Sequence, residues 1–224
     1  MSTVLVVGAS RGIGHEFARQ YAADGARVIA THRKPEDAER LRAVGARPLA
    51  LDVLDAAALA DLGARLAADR IDVAILAAGV YGPRTTGLEP PAPTDFDAVM
   101  HTNVRAPMLL IPVLAPRLVA ARGKLAVLSS RMGATGTMGH PTGWLYRASK
   151  AALNNVLKSA SLELGPQGVI CMAFHPGWVR TDMGGASADI DVTESVARMR
   201  YAIAAANDSH NGKFLNYNGE QLSW

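Results

Sequence analysis

Short runs of β-branched and aliphatic residues recur along the chain, and between them apolar positions return at helical spacing. The runs TVLVV (3–7), RVIAT (27–31), RPLAL (47–51), IDVAIL (71–76), KLAVLS (124–129) and GVICMAF (168–174), with GKFLNY (212–217) near the end, read as strands. Helical patterns fall at about 12–24, 36–44, 55–68, 94–120, 144–164 and 193–206. Continuous apolar strands alternating with helices imply βαβ units around a parallel sheet covered on both faces. No linker or repeat divides the pattern, so residues 1–224 are expected to form a single α/β domain. The proline-rich stretch YGPRTTGLEPPAPTD (81–95) reads as a loop. Pro107, Pro112 and Pro116 fall inside the pattern at 94–120 and each removes a backbone donor, so that helix is expected to be kinked or broken.

Composition narrows the function classes. Of 224 residues, 49% are hydrophobic, enough for a substantial core. The net charge of +3 comes from interspersed acids and bases with no run of five like charges, which argues for a local anion site rather than a nucleic-acid surface. The lone Cys171 lies in the apolar run VICMAFHPG; it cannot form an internal disulfide, reads as a small buried hydrophobe, and favours a reducing, cytoplasmic setting. The start MSTVLVVGAS lacks a basic segment, and its apolar run is too short for a signal peptide or membrane span. The six histidines show no metal-ligand spacing, so no metal is expected.

Directly after the first strand, GASRGIGHEFA places Gly8, Gly12 and Gly14 in a turn that opens a helix. Missing Cβ atoms permit a tight turn and the close approach of a pyrophosphate to the positive helix N-terminus, the arrangement of a doubly wound (Rossmann-type) sheet. At the end of the second strand, where a carboxylate would bind the ribose 2′-hydroxyl of NAD, stand His32, Arg33 and Lys34 and no acid. Arg11 adds a cation within the glycine turn, and guanidinium groups suit a 2′-phosphate, favouring NADP.

WLYRASK (144–150) sets Tyr146 and Lys150 four residues apart, on one helix face. An ordinary surface helix would give the same pair. Joined with GASRGIG, Asp52 after the third strand, Asn103 and LSSRMG, in that order, the chain resembles the short-chain dehydrogenase/reductase family over nearly its whole length. SSRMG, YRASKAALN, HPGWVRTDMGG and the ending GKFLNYNGEQLSW further resemble the branch holding C-factor and sniffer-type carbonyl reductases.

The resemblance implies that Tyr146 is the catalytic acid/base and Lys150 its activator and ribose ligand. Ser130, which precedes RMG, would orient and polarise the carbonyl, and Asn103 would anchor a proton-relay water. It places the cofactor against Gly8, Ser10, Arg11, Gly12, Ile13 and Gly14, with His32 and Arg33 beside the adenosine ribose. Asp52 and Val53 would meet the adenine, Ala78 and Gly79 the ribose region, and Pro176, Gly177, Val179 and Thr181 the nicotinamide. It further implies a homo-oligomer joined through the Tyr–Lys helix, where Ala152, Leu153, Val156, Leu157 and Ala160 form a broad apolar face. Two departures stand out. Val7 replaces the usual Thr, and LAAG (76–79) replaces Asn-Asn-Ala-Gly, losing two amides that brace the strands. Between Ser130 and Tyr146 the loop is longer than is common and is expected to bulge.

A free phenol near pKa ~10 holds its proton too tightly for neutral pH, so the neighbouring ammonium and the positive oxidised nicotinamide are both expected to lower Tyr146. The expected activity is NADPH-dependent reduction of a carbonyl. Met132, Met138, Trp144, Trp178 and Met183 suggest an apolar aldehyde or ketone, while Arg131 and Arg180 leave room for an anionic one. The alternatives are a nucleotide-binding signalling or regulatory protein and, because fold does not fix reaction, an epimerase or dehydratase.

Overall fold

The computed structural model describes residues 1–224. Strand β1 (Thr3–Val7) is followed by α1 (Gly12–Ala23), β2 (Arg27–His32), α2 (Asp37–Ala43), β3 (Arg47–Ala50), α3 (Ala56–Arg65) and β4 (Val73–Leu76). Then come α4 (Pro93–Met100), α5 (Ala106–Ala121), β5 (Lys124–Leu128), α6 (Trp144–Leu164), β6 (Ile170–His175), α7 (Val192–Ala205), β7 (Lys213–Asn216) and β8 (Gln221–Leu222). The sheet order is β3-β2-β1-β4-β5-β6-β7-β8, parallel throughout except for β8. The order reverses between β1 and β4, which opens a crevice at their carboxyl ends.

Every strand expected from the sequence is present. β8 was not expected, since two residues carry no periodicity; tertiary pairing of Phe214 with Leu222 makes it a strand. Trp224 then stacks on Phe214 with ring centres 5.5 Å apart. Helix α3 stops at Arg65 rather than near 68, and the chain beyond it buries Asp69 between Arg27 (2.6 Å) and Arg47 (2.7 Å).

The expected break at the prolines does not occur. Helix α4 runs into α5 through a π turn at His101–Arg105, in which the Ala106 N–H reaches back to the His101 carbonyl. Pro107 falls in the first turn after it, and Pro112 and Pro116 lie on the exposed face, so the carbonyls they leave free at Met108 and Pro112 face solvent. By length and composition the run Pro93–Ala121 could cross a membrane, but Leu110, Leu114 and Leu118 are buried against the sheet.

Alternation along the strands splits the core into two layers. Leu5, Val127, Ala173 and Phe214 face α3, α5 and α6, meeting Leu62, Leu114, Leu153 and Leu157. Val6, Ala126, Phe174 and Leu215 face α1, α2 and α7, meeting Phe17, Leu41, Met199 and Ile203. Each fully buried Phe or Leu contributes roughly 1.5–3 kcal/mol. Cys171 is fully buried, and burial pushes its thiol up to about 12, as expected of an inert hydrophobe.

Candidate active site

The glycine turn after β1 is shaped by close approach. Gly8 has φ 88° and a Cβ there would lie 2.6 Å from the Ala78 nitrogen, while a Cβ at Gly14 would overlap the Gly8 carbonyl oxygen. Small residues at these positions let α1 pack onto the strand ends. The Gly8 N–H donates to Thr31 Oγ1 at 2.9 Å, and the Ala77 and Ala78 N–H groups both donate to the Val7 carbonyl. Thr31, overlooked in the sequence, thus supplies bracing that LAAG appeared to have lost. Arg11 begins α1 without a capping side chain and no acid occupies the first turn, so the helix N-terminus presents free N–H groups and positive potential. A Cβ at Gly12 would point toward Thr181 Cγ2, 3.6 Å away, across the gap an anion would enter.

A cleft of about 490 Å³ runs from this turn along the carboxyl ends of the strands. Gly8, Ser10, Arg11, Gly12, Ile13, Gly14, His32, Arg33, Asp52, Val53, Ala78, Gly79, Tyr146, Lys150, Pro176 and Thr181 all line it. Gly177, Val179 and Asn103 do not; Gly177 (φ 86°) turns the chain against Ile190 and Tyr217, buried Val179 backs the same loop, and Asn103 is buried behind Val80. Arg11 does not join Arg33, because its guanidinium is paired with Asp182 at 2.8 Å across the cleft. The cation beside the glycine turn is instead Arg40 of α2, which donates to the Ser10 carbonyl at 3.0 Å and stands 3.5 Å from Asp37. Sequence reasoning missed Arg40; the signal was a cation one helical turn into the helix that follows Arg33. His32 is buried, with Nδ1 2.9 Å from the Lys34 carbonyl oxygen.

At the other end of the cleft the structure brings Ser130, Tyr146, Lys150 and Asn103 together. Ser130 begins a 3-10 turn (Arg131–Gly133) and its Oγ accepts the Met132 N–H at 3.1 Å. Together with the 3-10 turn Thr135–Thr137, this takes up the expected bulge before α6. Tyr146 lies in the first turn of α6 and lines the cleft, with the Ser130 hydroxyl near enough to favour its phenolate. Lys150 is buried one turn on, and its Nζ donates to the Leu128 carbonyl at 2.7 Å. Gly79 leaves the space they need: a Cβ there would be 3.3 Å from Asn103 Oδ1 and 3.5 Å from Lys150 Nζ. Asn103 sits in the π turn with its amide fully engaged, Oδ1 accepting the Val80 N–H and Nδ2 donating to the Val80 carbonyl (2.8 Å) and to Ser149 Oγ (2.9 Å). Ser149 in turn donates to the Tyr146 carbonyl, which ties the π turn to the start of α6.

Burial dominates the electrostatics. It pushes the Tyr146 phenol up to about 12, opposed by the Ser130 hydrogen bond and aided by the adjacent Tyr81. The same burial pushes the Lys150 ammonium down to about 8. The expected lowering of the phenol by Lys150 is therefore not produced by the protein's own groups, because desolvation opposes charge on both partners. Tyr81 was also missed. Its ring stacks on Tyr146 with centres 4.6 Å apart, and the Arg84 guanidinium lies 5.0 Å from its own centre. Nothing in a proline-rich loop marked it.

Comparison with known proteins agrees with the fold. The family model described as short chain dehydrogenase matches residues 2–190. C-signal of Myxococcus xanthus is 35% identical over 155 residues, covering 69% of this chain and 93% of that protein. The carbonyl reductase Sniffer of D. melanogaster superposes with a TM-score of 0.90 at 28% identity, over 100% of both chains. A carbonyl reductase from Pseudomonas aeruginosa PAO1, in complex with NADP, gives a TM-score of 0.89 at 34% identity, again over 100% of both chains.

Proposed function

The chain belongs to the short-chain dehydrogenase family, and on that premise we propose that it is an NADPH-dependent carbonyl reductase acting on apolar aldehydes or ketones. The observation that carries this reading is that Tyr146 and Lys150, one helical turn apart and both buried, line the same cleft as Arg33, Lys34 and Arg40. Solved relatives bind NADP, as the Pseudomonas aeruginosa reductase does. The residues present suit that cofactor: a glycine turn without Cβ atoms, an uncapped helix N-terminus, and cations in place of an acid after β2. Bound there, its nicotinamide would supply a hydride to the carbonyl carbon.

The chain's own residues would do the rest. Tyr146 donates its phenolic proton to the developing alkoxide, while Ser130 hydrogen-bonds to the same oxygen and orients it. Lys150 stabilises the resulting phenolate by charge and binds ribose; Asn103, its amide taken by Val80 and Ser149, holds the π turn behind it, so a relay water would meet its backbone carbonyl rather than its side chain. Trp178, Met138 and Met183 stay exposed, and Met183 lines the cleft, free to cover an apolar substrate. Arg180 is turned away, donating to the carbonyls of Ala188 (3.1 Å) and Asp189 (3.4 Å), which leaves Arg131 as the cation available to an anionic group.

The test is NADPH oxidation by the purified protein with matched aldehydes and ketones that differ in apolar bulk or carry a carboxylate. kcat/KM rising with apolar bulk is the expected result; preference for the carboxylates would move the assignment to Arg131. The resemblance to C-signal favours a second reading, a signalling or regulatory protein that binds the nucleotide with little turnover, and absence of turnover across the series would select it. We further propose a homo-oligomer joined through α6. Leu153 and Leu157 are spent on the core, while Ala152, Val156 and Ala160 stay partly exposed and Leu162 is exposed. Sedimentation as a monomer at micromolar concentration would contradict it.

A further inference from the structure

Tyr81 and Arg84 belong to no group assigned above, yet they meet both the proposed acid/base and the loop that covers the cleft. We propose that Tyr81 is a positioning residue for Tyr146, held by Arg84, which also tethers the segment carrying Met183 across the mouth of the cleft. The proposal rests on the reading of Tyr146 as the proton donor.

Four contacts carry it. The Tyr81 and Tyr146 rings are nearly parallel, 23° apart, at 4.6 Å. Such a stack restricts the plane of the Tyr146 ring and so the direction of its hydroxyl. Tyr81 itself is placed by Asn103, whose amide holds both the N–H and the carbonyl of the preceding residue, Val80. Gly143 admits it: that residue has φ 70°, and a Cβ there would collide with the Tyr81 hydroxyl. The outer face of Tyr81 is taken by Arg84, at 5.0 Å, whose Nη2 donates to the Met183 carbonyl at 2.7 Å. With Asp182 drawn to Arg11, the segment 182–183 is held from both sides of the cleft, and one of the two tethers leads directly to the acid/base.

The test compares kcat, carbonyl KM and NADPH Kd among wild type, Tyr81→Phe, Tyr81→Leu, Arg84→Met and Arg84→Lys. Tyr81→Phe keeps the stack and should retain near-wild-type kcat. Tyr81→Leu should lower kcat roughly ten- to a hundredfold, the effect of a small misplacement of a reacting group, with NADPH Kd unchanged because Tyr81 does not line the cofactor cleft. Arg84→Met should lower kcat roughly two- to fivefold, the equivalent of an exposed cation–π contact, and raise KM; Lys should recover only part of this. Wild-type kcat in Tyr81→Leu would overturn the proposal, as would equal losses in Phe and Leu, which would assign the effect to the hydroxyl. Should Tyr81→Leu fail to fold, unchanged kcat and KM in the exposed variant Arg84→Met would overturn it. No turnover by wild type with any carbonyl would overturn the functional reading and this one together, whereas turnover insensitive to Tyr81→Leu would overturn this one alone.

Discussion

Lys150 Nζ lies 5.6 Å from the centre of the Tyr146 ring and donates its hydrogen bond to the end of β5, not to the phenol. Both groups are buried, and each is pushed toward its neutral form. Burial thus disfavours charge on each partner, yet at neutral pH Lys150 keeps its proton beside a neutral phenol, so its charge is in place when the phenolate forms. Replacing Tyr146 with Phe should abolish turnover while NADPH Kd stays near wild type, since only the proton is lost. Lys150→Ala should damage both, which stopped-flow turnover and cofactor fluorescence would separate.

The same placement sets the pH dependence. Reduction needs the protonated phenol, which burial holds up to about 12 in the protein alone, so kcat for reduction should be flat from neutrality to about 8 and decline as Lys150 loses its charge above that. Alcohol oxidation needs the phenolate and should rise with pH up to the same point. A flat profile for reduction beside a rising one for oxidation, from neutrality to about 8, would bear this out; parallel profiles would contradict it.

Stability carries a second signature of Lys150. Its pKa falls from 10.5 to about 8 on folding, so the folded state resists the charge. Below about 8 both states are protonated and the penalty is complete; between about 8 and 10.5 the unfolded state holds more protons and stability rises with pH. Lys150→Met should therefore stabilise the fold at neutral pH, by an amount on the order of 3 kcal/mol less the cost of the unpaired Leu128 carbonyl. The gain should shrink as pH rises to 10.5 in thermal denaturation.

Cofactor preference should reside in Arg33 and Arg40 more than in Arg11, which Asp182 holds. Charge-assisted bonds to phosphate contribute roughly 1.5–3 kcal/mol each, so Arg33→Met or Arg40→Met should weaken NADPH about tenfold or more and leave NADH nearly unchanged. Isothermal titration with both cofactors decides it; equal wild-type affinities for the two would refute the assignment.

Gly14→Ala should be more harmful than its size suggests. The added methyl would overlap the Gly8 carbonyl oxygen, part of the backbone, so α1 must move off the strand ends. We expect NADPH binding to fall at least tenfold and Tm to drop, whereas Gly25→Ala, where a Cβ meets nothing within 4 Å, strains only its own backbone at φ 79° and should leave NADPH binding intact.

The sequence by itself determined the alternation of strands and helices, because buried strands and amphipathic helices imprint periods of two and 3.6 on the chain. It also determined the glycine turn, the cations after β2 and the Tyr146–Lys150 spacing, since each lies within one local element. What it could not determine is whatever depends on residues far apart in the chain. Thr31 bracing Gly8, Arg40 reaching Ser10, Asp182 taking Arg11 and Tyr81 stacking on Tyr146 join segments that no local period relates. The helix from 93 to 121 shows the same division: proline chemistry predicted a break, yet the π turn and the exposure of Pro112 and Pro116 leave the freed carbonyls facing solvent. The direction of the Tyr146 shift was likewise decided by the tertiary structure, because desolvation depends on what surrounds a group and spacing records only what lies one turn away.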